Sequence, residues 1–391
     1  MGATGSRDTA NLTARKYDVK DVISLLDVNR YPLLAILTNA GKDPVSKQGK
    51  AIKKMETTDS EFKWYEDEFQ SRTATTTTGQ TGKDISTAIA SVVLASGEGV
   101  RFAIGDVIKF PATKYTFKVT NVSTDTLSLS AELGGATGTV DLSSLPVWII
   151  GNSNQEGASL RTIKGTTPVE HVGYCQIFRT PFGVTETSRN TQTLIRENDF
   201  DFQRRKKGIE HYIDIERAFW FSKKAKVTSG THPERWTEGI LNAISTYATA
   251  NVDTEAEFEL WLESAFAHGN TEKYLFAAPA VMSMISGWAK NKLQLMPADK
   301  VYGMTIYKYQ SVHGTVNIIK NDLFTGTTFG NYAVALDMEA IFYRYLSNRD
   351  TKLATNRQAP GDDERVDEYI TECGLHFEQE SRHAIMSMGS L

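Results

Sequence analysis

Cysteine is almost missing from this chain: its 391 residues contain two, Cys175 and Cys373. Two thiols cannot build a disulfide framework and suit a reducing compartment, where free buried thiols are expected. Long apolar runs are missing as well. No stretch reaches the roughly 18 apolar residues that cross a bilayer, and the opening MGATGSRDTANLTARKYD lacks the apolar core of a signal peptide. These features predict a soluble protein made in the cytosol. Excess charge of one sign is also lacking, since 43 basic and 47 acidic residues leave a formal net charge of −4. That balance argues against a dedicated nucleic-acid binder. What is present is ordinary: 40% hydrophobic and 23% charged residues, in a chain long enough for two or three domains with real cores.

Catalytic patterns are absent too. His171, His211, His232, His268, His313, His376 and His383 are scattered, with no HExxH and no metal-ligand spacing. Cys373 and His376 form a C-x-x-H, but residues three apart on a strand point to opposite faces. Cys175 and His171 lie about 13 Å apart if extended. Glu66, Asp67 and Glu68 would face alternate sides of an extended arm. No G-x-S-x-G elbow or Walker sequence occurs. Gly134, Gly135 and Gly138 precede neither a helix nor a suitable lysine, so a hairpin turn is expected there rather than a phosphate loop. No catalytic residue, cofactor or metal site is expected.

The one long proline-free amphipathic stretch runs from Asn190 to Lys226. It predicts a helix of about 33 residues, roughly 50 Å long. Leu194, Ile209, Tyr212, Ile213, Phe219 and Trp220 fall near one face; Glu216 interrupts the stripe, and Ile215 and Phe221 widen it. Ile209, Tyr212, Ile213, Phe219 and Trp220 are therefore the expected core of this helix. Arg204, Arg205, Lys206 and Lys207 read as a solvated face, and Gly208 as a bend or a close contact.

The rest of the chain arranges itself around that rod. Met1 to Lys16 is a polar arm, and Pro32 opens a short helix. Lys54 to Gln70 reads as an exposed extended arm carrying Phe62 and Trp64. Ser71 to Lys83, rich in threonine, reads as a linker. Ala88 to Ile150 holds short alternating segments, with Tyr115, Phe117 and Val119 on one face, which predict a barrel or sandwich of about five strands. If Lys54–Gln70 pairs with Glu156–Glu170, the two make a long hairpin around that insert, unable to stabilise itself in water. After the long helix, Pro233 to Tyr332 predicts an α/β domain: a helix over Trp236–Thr246, another started by Thr254 with Phe258, Trp261, Leu262 and Phe266 inward, a buried strand KYLFAA, a helix opened by Pro279, and a hairpin around His313 and Gly314. NYAVALDMEAIFYRYL predicts one strand and RDTKLATNRQAPGDDER a polar loop. The closing segment alternates, with Thr371, Cys373, Leu375 and Phe377 on one face and Glu372, His376 and Glu378 on the other; its expected partner is the segment before the long helix.

This order of parts resembles the major capsid, or major head, protein of tailed bacteriophages, and within it a family whose E-loop carries a β insertion. The resemblance rests on Gln176, Ile177, Phe178 and Arg179, with Val184 and Thr187 behind them, on NRYPLLAIL at 29–37, on GDVI at 105–108, and on Tyr369 to Glu380. It implies an α+β fold with an N-terminal arm (1–53), E-loop arms (54–84 and 151–171), an inserted β domain (85–150), a P-domain whose spine is the long helix (172–232 and 346–391) and an A-domain (233–345). It implies a non-enzymatic protein that assembles with itself, as hexamers and pentamers, into an icosahedral shell enclosing double-stranded DNA without specific recognition. It further implies a separate scaffolding protein, since no long coiled segment precedes the arm. A portal and a decoration protein are the other implied partners, and the virion is the destination after synthesis in the host cytoplasm. On the hairpin, Phe62, Trp64 and Tyr65 are the expected intersubunit contacts. Two alternatives stand beside this one: a nanocompartment shell of the same fold, and a carbohydrate- or surface-binding protein using residues 88–150, where Tyr115, Phe117 and Trp148 offer rings.

Overall fold

The computed structural model describes residues 31–38, 54–157, 160–191, 199–289, 296–297 and 306–389. The expected arm at 1–16, the lysine-rich loop at 41–53 and Leu194 lie outside them. In chain order the elements are α1 (Pro32–Thr38), β1 (Lys54–Thr57), β2 (Glu61–Glu66), then β3 (Thr73–Thr75), β4 (Lys83–Asp84), β5 (Ile89–Val93), β6 (Asp106–Lys109), β7 (Thr116–Ser123), β8 (Thr126–Leu129), β9 (Thr139–Val140) and β10 (Pro146–Asn152). Next come β11 (Val169–Tyr174), β12 (Gln176–Thr185), α2 (Glu186–Asn190), α3 (Asp199–Phe221), β13 (Ala225–Val227), β14 (Glu234–Trp236), α4 (Ile240–Ala243), β15 (Ala248–Thr249), α5 (Glu255–Ala265), β16 (Glu272–Ala277) and α6 (Pro279–Ala289). The chain continues through β17 (Met296–Pro297), β18 (Ile306–Gln310), β19 (Thr315–Lys320), α7 (Gly326–Phe329), β20 (Tyr332–Leu336), β21 (Ile341–Leu346), β22 (Lys352–Ala354), β23 (Glu364–Phe377) and β24 (Ala384–Ser387).

Two compact units divide the chain: Tyr65–Glu170, and the remainder. In Tyr65–Glu170 six strands pair in the order β3-β10-β6-β7-β8-β5, with β4 on β9 as a second ladder. Its core holds Ile108, Phe110, Phe117, Val119, Leu127, Leu129, Leu142 and Val147, with the Phe110 and Phe117 rings edge to face at 5.8 Å. The threonine-rich run is not a linker. β3 pairs with β10, Ala74 and Thr76 are buried, and the Thr76 hydroxyl donates to the Leu142 carbonyl while accepting the Leu145 N–H at 2.9 Å. Composition hides this because the apolar partners Leu142 and Leu145 come from 66 and 69 positions away, and threonine suits a half-buried strand. The glycine cluster is a turn: Gly135 and Gly138 have φ of +76° and +114°, and the Glu132 carboxylate accepts the Ala136 N–H at 3.0 Å.

In the other unit, β1, β21, β23 and β12 form one sheet, with β22 also on β23. β12 and β23 pair antiparallel from Gln176↔Cys373 to Thr185↔Glu364, so the closing segment does return beside the stretch ahead of the long helix. β1 runs parallel to β21, which places Lys54–Thr57 in this sheet and not in the hairpin. Among the described residues only β2 and β11 pair as hairpin arms, a shorter and shifted match than expected. The second sheet has seven strands in the order β15-β24-β20-β16-β19-β18-β17. One continuous core joins both sheets, including Phe219, Trp220, Phe276, Phe324, Tyr343 and Leu375.

Several expectations change. Thr191 is extended (φ −77°, ψ 129°), so the helix over Asn190–Lys226 is interrupted there; α3 spans 23 residues and stops at Phe221. It stops because Asn242 Nδ2 donates to the Phe221 and Ser222 carbonyls at 3.1 and 3.0 Å, and Gly239 N–H to Ser222 at 2.8 Å, which satisfies carbonyls that would otherwise be orphaned. The helix expected over Trp236–Thr246 is a strand end followed by the four residues of α4. Thr237 is the reason: its hydroxyl accepts the Leu375 N–H at 2.9 Å and its N–H binds Gln176 Oε1 at 3.2 Å, which pins the backbone to the sheet. The single strand expected in Asn331–Leu346 is two strands in two sheets, separated by a 3₁₀ turn at Met338–Ala340. β22 forms inside the expected polar loop, and β23 buries both its faces from Thr371 to Phe377, Glu372 and His376 included. Thr254 does start α5, through a capping box with Glu257. Gly208 marks a close contact: a Cβ there would stand 3.2 Å from the Tyr369 hydroxyl.

Candidate assembly surface

The fully buried face of α3 carries His211, Ile215, Glu216, Phe219 and Trp220, while Ile209, Tyr212 and Ile213 are half-buried. Tyr212 packs on Tyr31 at 5.7 Å, and Trp220 lies edge-on to Phe276 and Phe324 at 5.2 and 4.9 Å. Arg204, Arg205 and Lys206 are exposed, and Lys207 pairs with Glu210 at 2.6 Å. His211 bridges Thr180 Oγ1 at 2.8 Å and Thr371 Oγ1 at 2.7 Å, and burial lowers it to about 4, so the imidazole is neutral near pH 7.

Glu216, read from sequence as an interruption, has a defined task. Its carboxylate accepts the Leu33 N–H at 2.9 Å, the Leu34 N–H at 2.6 Å and the Trp220 indole N–H at 3.0 Å. A side chain on α3 thus caps α1, which buries Leu33, Leu34, Ile36 and Leu37. Burial pushes the Glu216 carboxyl up to about 7, and the three donors hold it from rising further.

The hairpin root separates the three expected contact residues. Phe62 is buried at 5% exposure, its ring laid against Gly173 and Gly374, and the Arg344 guanidinium sits 5.6 Å from its centroid. A Cβ at Gly173 would meet that ring at 2.4 Å. Phe62 therefore packs as an anchor within its own subunit. Trp64 is half-buried, stacked on His171 at 5.6 Å and tilted over His376 at 4.4 Å. Tyr65 is 66% exposed and donates its hydroxyl to Glu170 at 2.9 Å. Other apolar residues of Tyr65–Glu170 are exposed without having been expected to be: Phe69, Val100, Ile104, Leu160 and Ile163. The signal for Leu160 and Ile163 was present, as apolar residues in a segment with neither period of regular structure.

Among the described residues no three His, Cys, Asp or Glu side chains converge as metal ligands. Cys175 and Cys373 are free and buried, and burial pushes both thiols up, Cys175 to about 12. A family model described as SU10 major capsid protein matches residues 3–388. The chain belongs to that family. The major capsid protein of Pseudomonas phage PaMx41 is 21% identical over 252 residues, which cover 60% of this chain and 60% of that relative. Among solved structures, the holo-SrpI encapsulin complex from Synechococcus elongatus PCC 7942 is 12% identical, covering 57% of this chain and 76% of that one with a TM-score of 0.44. The capsid of Myoviridae phage XM1 is 11% identical, covering 61% and 81% with a TM-score of 0.42. In this SU10-family chain, then, the exposed apolar side chains of Tyr65–Glu170 are the surface to test for contacts between copies.

Proposed function

We propose that the chain is the subunit of a phage head, assembling with itself as hexamers and pentamers into an icosahedral shell around double-stranded DNA. The reading rests on the family, and the observation that carries it is the set of exposed rings and aliphatics at Tyr65, Phe69, Leu160 and Ile163. A subunit that lived alone would leave these in water; repeated in many copies, each modest contact adds to the others. A net charge of −4 suits a container whose wall must not grip DNA. A scaffolding protein, a portal and a decoration protein belong to the same proposal, with the virion as destination. The sugar-binding alternative loses support, because Phe117 is fully buried and Tyr115 half-buried, which leaves Trp148 alone among the three rings as an exposed one.

Negative-stain electron microscopy with light scattering tests this at low and moderate salt. Closed shells, tubes or rings of five and six are expected; a monomer under every condition, including co-expression with a scaffolding protein, would overturn it. Trp64→Ala supplies a sharper prediction. The variant should fold, because Phe62 and the β2–β11 pairing still hold the root, yet yield fewer shells than wild type in the same images. Normal shells from Trp64→Ala would remove this residue from the assembly surface.

A further inference from the structure

A cavity of about 460 Å³ opens within Tyr65–Glu170, lined by four basic side chains, Arg72, Arg101, Arg161 and Lys164, against one carboxylate, Asp106. Two of the cations are neutralised in place. Arg161 pairs with Asp106, and Arg101 donates to Glu98 Oε1 at 2.7 Å. The other two are not. The Lys164 ammonium donates to the Val100 carbonyl at 2.8 Å and to the Phe102 carbonyl, both neutral acceptors; partial burial lowers its pKa, with the nearby Asp106 charge acting against that and Arg161 adding to it. Arg72 is exposed, and its guanidinium has no hydrogen-bond or ion-pair partner among the described residues. Phe69, fully exposed, stands at the same cleft. The cleft therefore carries two surplus positive charges beside an uncovered ring, which fits a pair of neighbouring carboxylates on a protein loop.

The chain presents such a pair. The loop between β22 and β23 turns at Gly361 (φ +104°) and exposes Asp362 and Asp363, whose carboxylates make no ion pair among the described residues. This turn is preorganised. Asp362 N–H donates to the Ala359 carbonyl at 3.2 Å, Arg357 N–H to Val366 at 2.7 Å, Asn356 N–H to Asp367 Oδ1 at 3.0 Å, and the Asp363 carbonyl accepts the Glu186 N–H at 3.3 Å. It lies directly beyond the last β12–β23 pair, Thr185↔Glu364, so ten ladder pairs brace it. A braced acidic turn loses little entropy on docking.

We propose that the Arg72–Lys164 cleft of one subunit receives the Asp362–Asp363 turn of a second copy. The proposal rests on the shell reading and adds to it a specific electrostatic contact between copies. Charge exchange tests it. Arg72→Glu alone and the Asp362→Lys/Asp363→Lys pair alone should each keep the wild-type circular dichroism spectrum and melting curve while lowering the sedimentable shell fraction by about tenfold at low salt. All three changes in one chain should restore most of that fraction. Arg72→Cys subunits mixed with Asp362→Cys subunits should also form a disulfide-linked dimer on oxidation, as both native thiols are buried. Wild-type shell yield from each charge variant, or no recovery in the combined one, would overturn the contact while leaving the shell reading intact. An absence of shells from the wild-type chain under every condition, co-expression with a scaffolding protein included, overturns both. Loss of binding to a short DNA duplex by Arg72→Glu, with shell yield unchanged, would assign the cleft to nucleic acid and overturn the proposal.

Discussion

Replacing Glu216 by alanine is expected to cost the subunit roughly 3 to 5 kcal/mol, a large share of the stability of a folded domain. The cost follows from what the carboxylate holds. Two backbone N–H groups of α1 and the Trp220 indole N–H all end on it, in a site with no exposure. Each buried donor left without an acceptor costs about 1 to 3 kcal/mol, and the vacated side chain leaves a hole beside Trp220. Urea unfolding followed by tryptophan fluorescence measures the loss. A midpoint within error of wild type would mean that α1 is held by its leucines alone.

The same carboxyl carries a pH dependence with a definite sign. Its folded-state value is raised from 4.5 to about 7, so the folded protein binds this proton more tightly than the unfolded chain does. The corresponding stability is complete below pH 4.5 and is lost as pH rises through about 7, a change of roughly 3 kcal/mol. Buried His211 and His383, lowered to about 4 and about 3, act in the opposite sense, losing stability as pH falls below 6.5. The informative quantity is thus the difference between wild type and Glu216→Gln. That difference should move against wild type between pH 5 and pH 8, and a difference independent of pH would contradict the raised value.

Ile215→Asp should be the most severe change on α3. Ile215 is fully buried in the core that joins the two sheets, and a carboxylate there would have neither water nor a partner. No soluble subunit is expected from expression at 37 °C. Ile213→Asp, chosen from the helical stripe alone, should be milder, since Ile213 is half-buried at the edge of the same core. The ratio of soluble to pelleted protein for the two variants checks the ranking; a reversal would mean that α3 is rotated relative to the sheet it packs on.

What could be read in advance followed from local chemistry. Pro32 opens α1, Thr254 and Glu257 cap α5, and the closing strand finds the segment before the long helix, through residues 364–373, because both are strands with a face to bury. What could not be read depends on residues distant in sequence. A glutamate in an apolar stripe looks like an interruption until the N–H groups of Leu33 and Leu34 are found above it. Phe62 looks like an exposed anchor until Gly173 and Gly374, from two other strands, provide its seat. The end of α3 is set by Asn242 and Gly239, which periodicity does not see. Arg72 carries no local signal at all; its meaning lies in the cleft it shares with Lys164, where Arg101 and Arg161 are already paired.

The strand order also sets a timetable for synthesis. β12, at a sheet edge, has β23 as its neighbour in that sheet, and β1 pairs with β21, so residues 54–57 and 176–185 wait for partners near 343 and 364. The Tyr65–Glu170 unit waits for nothing: β3 finds β10 once residue 152 has emerged. Translation from there to β24 at residue 387 takes on the order of 10 to 50 s. For that interval a nascent chain carries a finished insert on an unfinished body, and the acidic turn at 362–363 does not yet exist to be recognised. If that turn docks as proposed, synthesis itself holds each copy back from its neighbours until the closing strands are in place.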